Sequence, residues 1–364
     1  MLLTIPTRAI RWFERYERHL SSAAMVFGFI VDNLTLTRVD LLFDNLVIIF
    51  YLVVATSAIA LIHFHESRRW EHEWLTLART FAPVPMQYAF GGLFSSFVVF
   101  YTRSASFISS WLFLLILLTL LIGNEFVRAR YARLTFQVGV LFFAIYSYAI
   151  MLVPIAVGKM GTWVFLVSGA VSVAVVALFI LGFAYISRDR VRAHFRSMFI
   201  AIVGILTAMH VAYFTNVIPP IPLSLKDAGV YHAVWKAADG SYRVLGEDHN
   251  WWERIWPVET IHLAPQERAY VYSSIFAPTR ISTRIVHDWE FYNERTRDWE
   301  LQFTYNFAIV GGRDGGYRGY TEKIQVPEGK WRVSVRTPEG LLLGRIRFNV
   351  VRVLEAPKLS EATK

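Results

Sequence analysis

Residues 197–218 read SMFIAIVGILTAMHVAYFTNVI, and residues 219–225 read PPIPLSL. The first run is apolar and long enough to cross the hydrocarbon layer of a bilayer. The second holds Pro219, Pro220 and Pro222, which fix the backbone and cannot continue a helix. Before this stretch the chain is a series of long hydrophobic segments separated by arginine clusters, and after it period-two alternation takes over. It therefore divides the chain into a membrane-spanning helical part and a water-facing β part.

The composition supports a membrane protein. Of 364 residues 55% are hydrophobic and 16% aromatic, and the mean hydropathy is positive. With no cysteine, disulfides and thiolate metal sites are excluded. The formal charge of +9 does not call for nucleic acid. Residues 1–222 hold 17 Lys/Arg against 10 Asp/Glu, and residues 223–364 hold 20 against 18, so the basic excess surrounds the hydrophobic segments. The start of the chain is not read as a cleavable signal, because its arginines follow the short apolar stretch rather than precede it. Residues 1–20 place Arg8, Arg11, Arg15 and Arg18 on one helical face, the pattern of a cytoplasmic or interfacial amphipathic segment.

Seven spans are expected within residues 21–218, at 21–37, 42–63, 84–102, 106–124, 135–156, 161–186 and 197–218. With the N-terminus inside, the inner segments carry the four N-terminal arginines, Arg68, Arg69, Arg79, Arg128, Arg130, Arg133, Arg188, Arg190, Arg192 and Arg196. The outer loops carry only Arg38, Arg103 and Lys159. Fourteen cations against three is an asymmetry that sets orientation. It predicts a multi-pass membrane protein with a cytoplasmic N-terminus and a C-terminal domain outside the cytoplasm, which in a bacterium means the inner membrane and the periplasm.

Polar groups at membrane depth require partners or water. These are Asp32, Asn33, Asp44, Asn45, Gln87, Asn124, Glu125 and His210. Helix-to-helix contacts account for most of them, and Asp32 is the strongest functional candidate, because it is least easily moved to the interface. His63, His65 and His72 invite a metal, but their spacing does not gather them on one helical face, so no metal or other cofactor is expected. Gly91, Gly92, Ser95 and Ser96, and Ser168, Gly169 and Ser172, are small-residue patches that let helices approach closely.

Residues 219–225 are read as a stiff exit, 226–355 as a β-sandwich and 356–364 as a disordered tail. In the sandwich, Trp331, Val333 and Val335 alternate with Arg332, Ser334 and Arg336. A turn at residues 337–340 follows, and then Ile346, Phe348 and Val350 alternate with Arg345, Arg347 and Asn349. This is a hairpin with one apolar and one cationic face. Further strands are expected at 229–235, 268–276, 283–291 and 299–310, with a glycine-rich turn at 311–316. Trp235, Trp251, Trp252, Trp256, Trp289, Tyr292, Trp299, Tyr317, Tyr320 and Trp331 make the domain aromatic-rich, for core filling, interface anchoring or ligand stacking. Catalytic signatures are missing from the sequence: it has no nucleophile elbow, phosphate loop or zincin motif.

Ile275-Phe276-Ala277-Pro278, His287-Asp288-Trp289, the run from Gly316 to Thr321, Gly329-Lys330-Trp331-Arg332-Val333 and Gly344-Arg345-Ile346-Arg347-Phe348 resemble the bacterial domain of unknown function 2914. Gly28-Phe29 with Asp32, the run from Tyr101 to Ser106, and Asn124-Glu125-Phe126 are similar to the multi-span region that precedes it in some members. The resemblance implies a bacterial envelope setting and this architecture, and no activity.

The expected fold is thus a seven-helix transmembrane bundle followed by an all-β, sandwich-like extracytoplasmic domain. The expected function is a non-enzymatic binding or scaffolding module recognising an envelope glycan, lipid or partner protein. Its candidate residues are His287, Trp289, Tyr292, Arg318, Tyr320 and Arg345. The alternative is a transporter or lipid-linked envelope enzyme with its site among Asp32, Asn33, Asn124, Glu125 and His210.

Overall fold

The computed structural model describes residues 27–36, 39–64, 82–104, 107–126, 133–218, 223–248, 258–277, 282–310, 316–355 and 357–364. Residues 1–20, the exit prolines 219–222, His65, His72, Trp251, Trp252, Trp256 and the glycine run 311–315 lie outside the described residues. Seven helices are described, α1 at 27–35, α2 at Leu42–Phe64, α3 at Pro83–Ser104, α4 at Phe107–Phe126, α5 at Leu134–Val157, α6 at Thr162–Ile186 and α7 at Arg188–Phe214. Among the described residues four of them, α2, α5, α6 and α7, are long and apolar enough to cross a membrane, and α4 holds a shorter apolar stretch, Trp111–Ile122.

By its contacts the chain forms two compact units. The first gathers residues 1–102, 112–153 and 166–212. Within it α5 is the central helix, with 72% of its apolar window buried, whereas α7 has 17% buried and sits at the rim. Both small-residue patches serve packing. A Cβ on Gly92 would lie 2.5 Å from the ring of Tyr51, and one on Gly169 would lie 2.9 Å from the Tyr146 hydroxyl, so each glycine admits an aromatic ring from a neighbouring helix.

One boundary differs from expectation. Residues 188–196, read as an inner loop, are the opening turns of α7, and only Ser187 separates them from α6. Arginine favours helix, and Asp189 in the first turn complements the helix dipole, so charge does not end the segment.

The second unit gathers residues 103–111, 154–165 and 213–364, and its described residues hold eleven strands in three sheets. β1 (Ser224–Tyr231), β5 (Ala269–Phe276) and β8 (Tyr317–Lys323) form an antiparallel sheet in the order β1-β5-β8. A five-stranded sheet has the order β4-β10-β9-β6-β7, from Glu259–Leu263, Leu342–Arg352, Gly329–Arg336, Ser282–Asn293 and Asp298–Val310. The third sheet joins β11 (Leu359–Thr363), β3 (Tyr242–Glu247) and β2 (Ala233–Lys236). The first two sheets share one core, in which Val230, Val271 and Ile275 meet Ile285, Trp289, Trp331, Val333, Phe348 and Val350. The expected hairpin is β9 and β10, with Ile346 opposite Val333 and Phe348 opposite Trp331.

Two strand expectations need correction. The segment 229–235 is not one strand, since β1 ends at Tyr231 and β2 begins at Ala233, and His232 marks the passage from one sheet to another. Residues 357–364 are not a free tail. β11 pairs with β3 along five residues, Lys364 N donates to the Tyr242 carbonyl at 2.7 Å, and Lys364 Nζ meets Asp227 at 2.8 Å. The strand is polar because it forms a sheet edge and buries little, so its stability comes from the backbone ladder rather than from apolar alternation.

Candidate functional site

Alternation along β6 sends Ile285, His287, Trp289 and Phe291 towards the core and Arg284, Val286, Asp288 and Glu290 to the other face. His287 and Trp289 are therefore not ligand-facing, and both have no exposed surface. Their polar atoms close a network between sheets. His287 Nε2 pairs with Ser273 Oγ at 2.9 Å, His287 Nδ1 with Thr321 Oγ1 at 3.0 Å, and Trp289 Nε1 donates to Thr321 Oγ1 at 3.0 Å. Burial pushes the His287 pKa down to about 3, so the imidazole is neutral. A serine beside a histidine suggests a nucleophile and base, but sealing in the core leaves no room for a substrate. The arrangement joins β5, β6 and β8.

The opposite face of the five-stranded sheet is cationic. Arg347 stands directly across from Arg332, and Arg345 across from Ser334. Arg332 donates to Glu290 through Nε at 2.8 Å and Nη2 at 2.6 Å, and Ser334 Oγ donates to the same carboxylate at 2.8 Å. Burial works against ionisation of Glu290, but these donors outweigh it and hold the carboxyl below its ordinary value. Arg336 Nε lies 3.4 Å from Asp288 Oδ2, an ion pair without hydrogen-bond geometry, while Thr304 Oγ1 donates to Asp288 Oδ1 at 2.7 Å. Arg345 and Arg347 are exposed and have no carboxylate within ion-pair distance among the described residues. Burial, then the charges of Arg332 and Arg336, lower the Arg345 pKa, which still leaves an arginine charged. Beside the cations runs an aromatic edge. The Arg332 guanidinium lies 4.5 Å from the Trp299 ring centroid, Trp299 packs on Tyr292 at 5.2 Å, and Lys330 Nζ lies 5.1 Å from the Tyr292 ring.

The remaining β candidates lie elsewhere. Tyr320 and Arg318 are on β8 opposite Tyr272 and Ser274, and Tyr320 packs with Tyr242 and Tyr270 on the side that faces the third sheet. The structure thus separates the six candidates into a core pair, a pair on the cationic face, Tyr292 with Arg345, and a pair in the tyrosine cluster.

Sequence reasoning did not find one titratable cluster. His232 is held by Glu267 through Nδ1 at 2.6 Å and by Glu247 through Nε2 at 3.1 Å, and Glu247 also accepts from His262 Nδ1 at 2.7 Å and its backbone N at 2.6 Å. Burial lowers the His232 pKa, but the two carboxylates outweigh it and raise the value. Burial likewise opposes ionisation of Glu247, yet the hydrogen bonds from His232 and His262 bring it to about 2. Glu247 ends β3 and Glu267 lies in the turn between β4 and β5, 15 and 35 residues from His232, so no local signal announces them. The cluster fixes the passage from β1 to β2. No group of three or more ligands arranged for a metal ion is found among the described residues.

In the helical unit, Asp32 on α1 is 6% exposed and lies near Ser95 of α3 and Tyr51 of α2, while the Ser95 hydroxyl has no partner at hydrogen-bond geometry among the described residues. Asn33 is exposed on the same helix. Asn45 Nδ2 donates to the carbonyls of Val39 and Leu41, and its Oδ1 accepts from the Tyr148 hydroxyl at 2.8 Å. His63 Nε2 meets Gln137 Oε1 at 2.8 Å, and His210 Nδ1 donates to the Leu206 carbonyl at 2.7 Å. The Asn45–Tyr148 and His63–Gln137 bonds join α2 to α5, whereas the His210–Leu206 bond lies within α7. Asn124 and Glu125 end α4, and their side chains lie outside the described part.

Residues 282–350 match the family described as "Protein of unknown function (DUF2914)". The match runs from β6 to β10, so the resemblance read from the C-terminal motifs holds there, after the helical part. No curated protein matches the chain. Among solved structures the chain is similar to an immunoglobulin-like protein from Pseudomonas aeruginosa, with 10% identity, 36% of this chain and 98% of that one covered, and a TM-score of 0.21. It is also similar to the Pseudomonas fluorescens alkylpurine DNA glycosylase AlkC bound to DNA containing an abasic site analog, with 10% identity, 86% and 99% covered, and a TM-score of 0.23. At such TM-scores neither likeness carries an argument about fold or function.

Proposed function

We propose that this chain is a multi-pass protein of the bacterial inner membrane, with seven spans, a cytoplasmic N-terminus and a periplasmic β domain of sandwich type. In this reading the β domain is a non-enzymatic module that binds an anionic envelope glycan, lipid or partner protein. Membrane placement is supported by the arginine asymmetry and by the apolar side chains that the helices leave uncovered. Phe43, Leu46, Phe50 and Val53 on α2, and Leu178 and Leu181 on α6, are more than half exposed, a surface that water would penalise.

The observation that carries the binding reading is the pairing of Arg347 with Arg332 across β10 and β9. Like charges directly opposite one another on a sheet are destabilising. Glu290 neutralises Arg332, and Arg345 and Arg347 remain as a surplus beside the Trp299–Tyr292 edge. Guanidinium groups suit carboxylate or phosphate, and the rings suit a sugar face. The full chain in detergent micelles should therefore bind an acidic envelope polysaccharide or phosphatidylglycerol more tightly than a neutral counterpart of equal size. Combined Arg345→Glu and Arg347→Glu substitution should weaken that binding about tenfold or more. Thermal unfolding should barely move, because both side chains are exposed. Equal binding of charged and neutral ligands by the unaltered chain, or an undiminished preference in the variant, would overturn the proposal.

Asp32 supports the second reading, a transporter or lipid-linked enzyme, because a carboxylate this enclosed among helices is costly unless it is used. On that reading Asp32→Asn abolishes complementation of a deletion strain while the protein accumulates normally, and full complementation removes the idea.

A further inference from the structure

The helical unit contains a cleft of about 740 Å³, between α3, α4, α5 and α7, within the size range of ligand sites. Its walls are apolar over most of their extent, with Phe94, Ile116, Leu120, Phe143, Ala201 and Ile205 among the lining residues. Polar groups are gathered at one end. Arg133 precedes the first turn of α5, His194 lies in the second turn of α7, and the Thr135 and Ser197 hydroxyls meet at 2.8 Å. Arg133 is exposed, and its guanidinium has no hydrogen bond or ion pair among the described residues. His194 Nδ1 donates to the Arg190 carbonyl at 3.1 Å, which leaves Nε2 for another partner.

The space exists because α5 carries Gly139 where it faces α7. A Cβ at that position would stand 3.6 Å from Ile205 and 3.9 Å from Ala201, ordinary contact distances, so alanine fits and a longer side chain enters the cleft. Arg133 also sits at the N-terminal end of α5, where the helix dipole favours negative charge.

We propose that this cleft holds one anionic phospholipid, with an acyl chain along the apolar wall and the phosphate at Arg133, Thr135, Ser197 and His194. A free anion would leave the apolar wall unused, and an uncharged hydrocarbon would leave Arg133 without a counter-charge. The amphipathic lining matches a ligand with both parts, and Arg190, Arg192 and Arg196 in the opening turns of the same helix as His194 and Ser197 add positive charge at that end of the helix. The site rests on membrane placement of the helices and is independent of the cationic face on the β unit.

Native mass spectrometry of the full chain in detergent, titrated with phosphatidylglycerol or with phosphatidylcholine of the same acyl chains, tests this. The unaltered protein should retain one phosphatidylglycerol about tenfold more strongly than phosphatidylcholine. Arg133→Gln should bring the two lipids to parity, Arg133→Lys should keep most of the preference, and Gly139→Leu should weaken both. Equal retention of the two lipids by the unaltered protein refutes the site, as does a preference that survives Arg133→Gln. If Gly139→Leu fails to fold, the exposed Arg133 variants still decide. Recovery of the chain in the membrane fraction is measured alongside, so a failure of membrane placement is told apart from a failure of the lipid site.

Discussion

Trp289→Ala should destabilise the β unit by about 3–5 kcal/mol, the range for truncating a fully buried aromatic residue. The indole has no exposed surface and packs on Phe303, Phe348 and Trp331 at ring-centroid distances of 5.3, 6.0 and 6.3 Å. Truncation removes apolar contact, opens a cavity at the centre of the five-stranded sheet and takes away the donor to Thr321. Against a total stability of about 5–15 kcal/mol for a domain, the loss is about a fifth or more. Tyr320→Ala is the control, since that ring is 39% exposed and its loss should cost far less. The measurement is the urea concentration at which the C-terminal part of the full-length protein becomes susceptible to protease. Similar shifts for the two variants would mean that Trp289 is not the centre of this core. If Trp289→Ala does not accumulate, Trp289→Phe should give a smaller shift of the same sign.

Much of this architecture is legible in the letters, for reasons visible at particular residues. Membrane-length apolar runs declare α2, α5, α6 and α7 because their composition leaves no other structure. The β9–β10 hairpin is legible because Ile346, Phe348 and Val350 must go one way and Arg345, Arg347 and Asn349 the other. Strands that lack this contrast stay hidden. β4 is short and its partner β10 is parallel and distant in sequence, and β11 reads as a polar tail because its stability comes from backbone hydrogen bonds to β3. The same limit applies to the candidate residues. Alternation along β6 could have assigned His287 and Trp289 to the core, since they share a face with Ile285. The partners that satisfy them, Ser273 and Thr321, come from the other sheet, and only tertiary structure brings them in. The cationic face was half legible. The arginines could be read from the hairpin, while Glu290, Asp288 and the Trp299 edge depend on the register between β6, β7 and β9.

Acidification should destabilise the β unit between pH 6.5 and 4.5, and His287 should account for the slope. The unfolded chain protonates this imidazole near its ordinary value of 6.5, whereas the folded chain keeps it neutral down to about 3. Between those values the unfolded state binds more protons, so stability falls as pH falls, by on the order of 2–3 kcal/mol at pH 4.5. Other shifted groups of the unit are flat in this window. His232 has a raised pKa, so below 6.5 it is protonated in both states and its contribution is fully present. Glu247 and Glu290 have lowered pKa values, so above 4.5 both are ionised whether folded or not, and their contributions fade only at lower pH. Urea midpoints of the full-length protein at pH 7.5, 5.5 and 4.5 measure the slope. His287→Gln lacks the titrating ring and retains groups for Ser273 and Thr321, so it should be less stable at pH 7.5 but nearly insensitive to pH down to 4.5. A slope equal to that of the unaltered protein would place the acid sensitivity on some group other than His287.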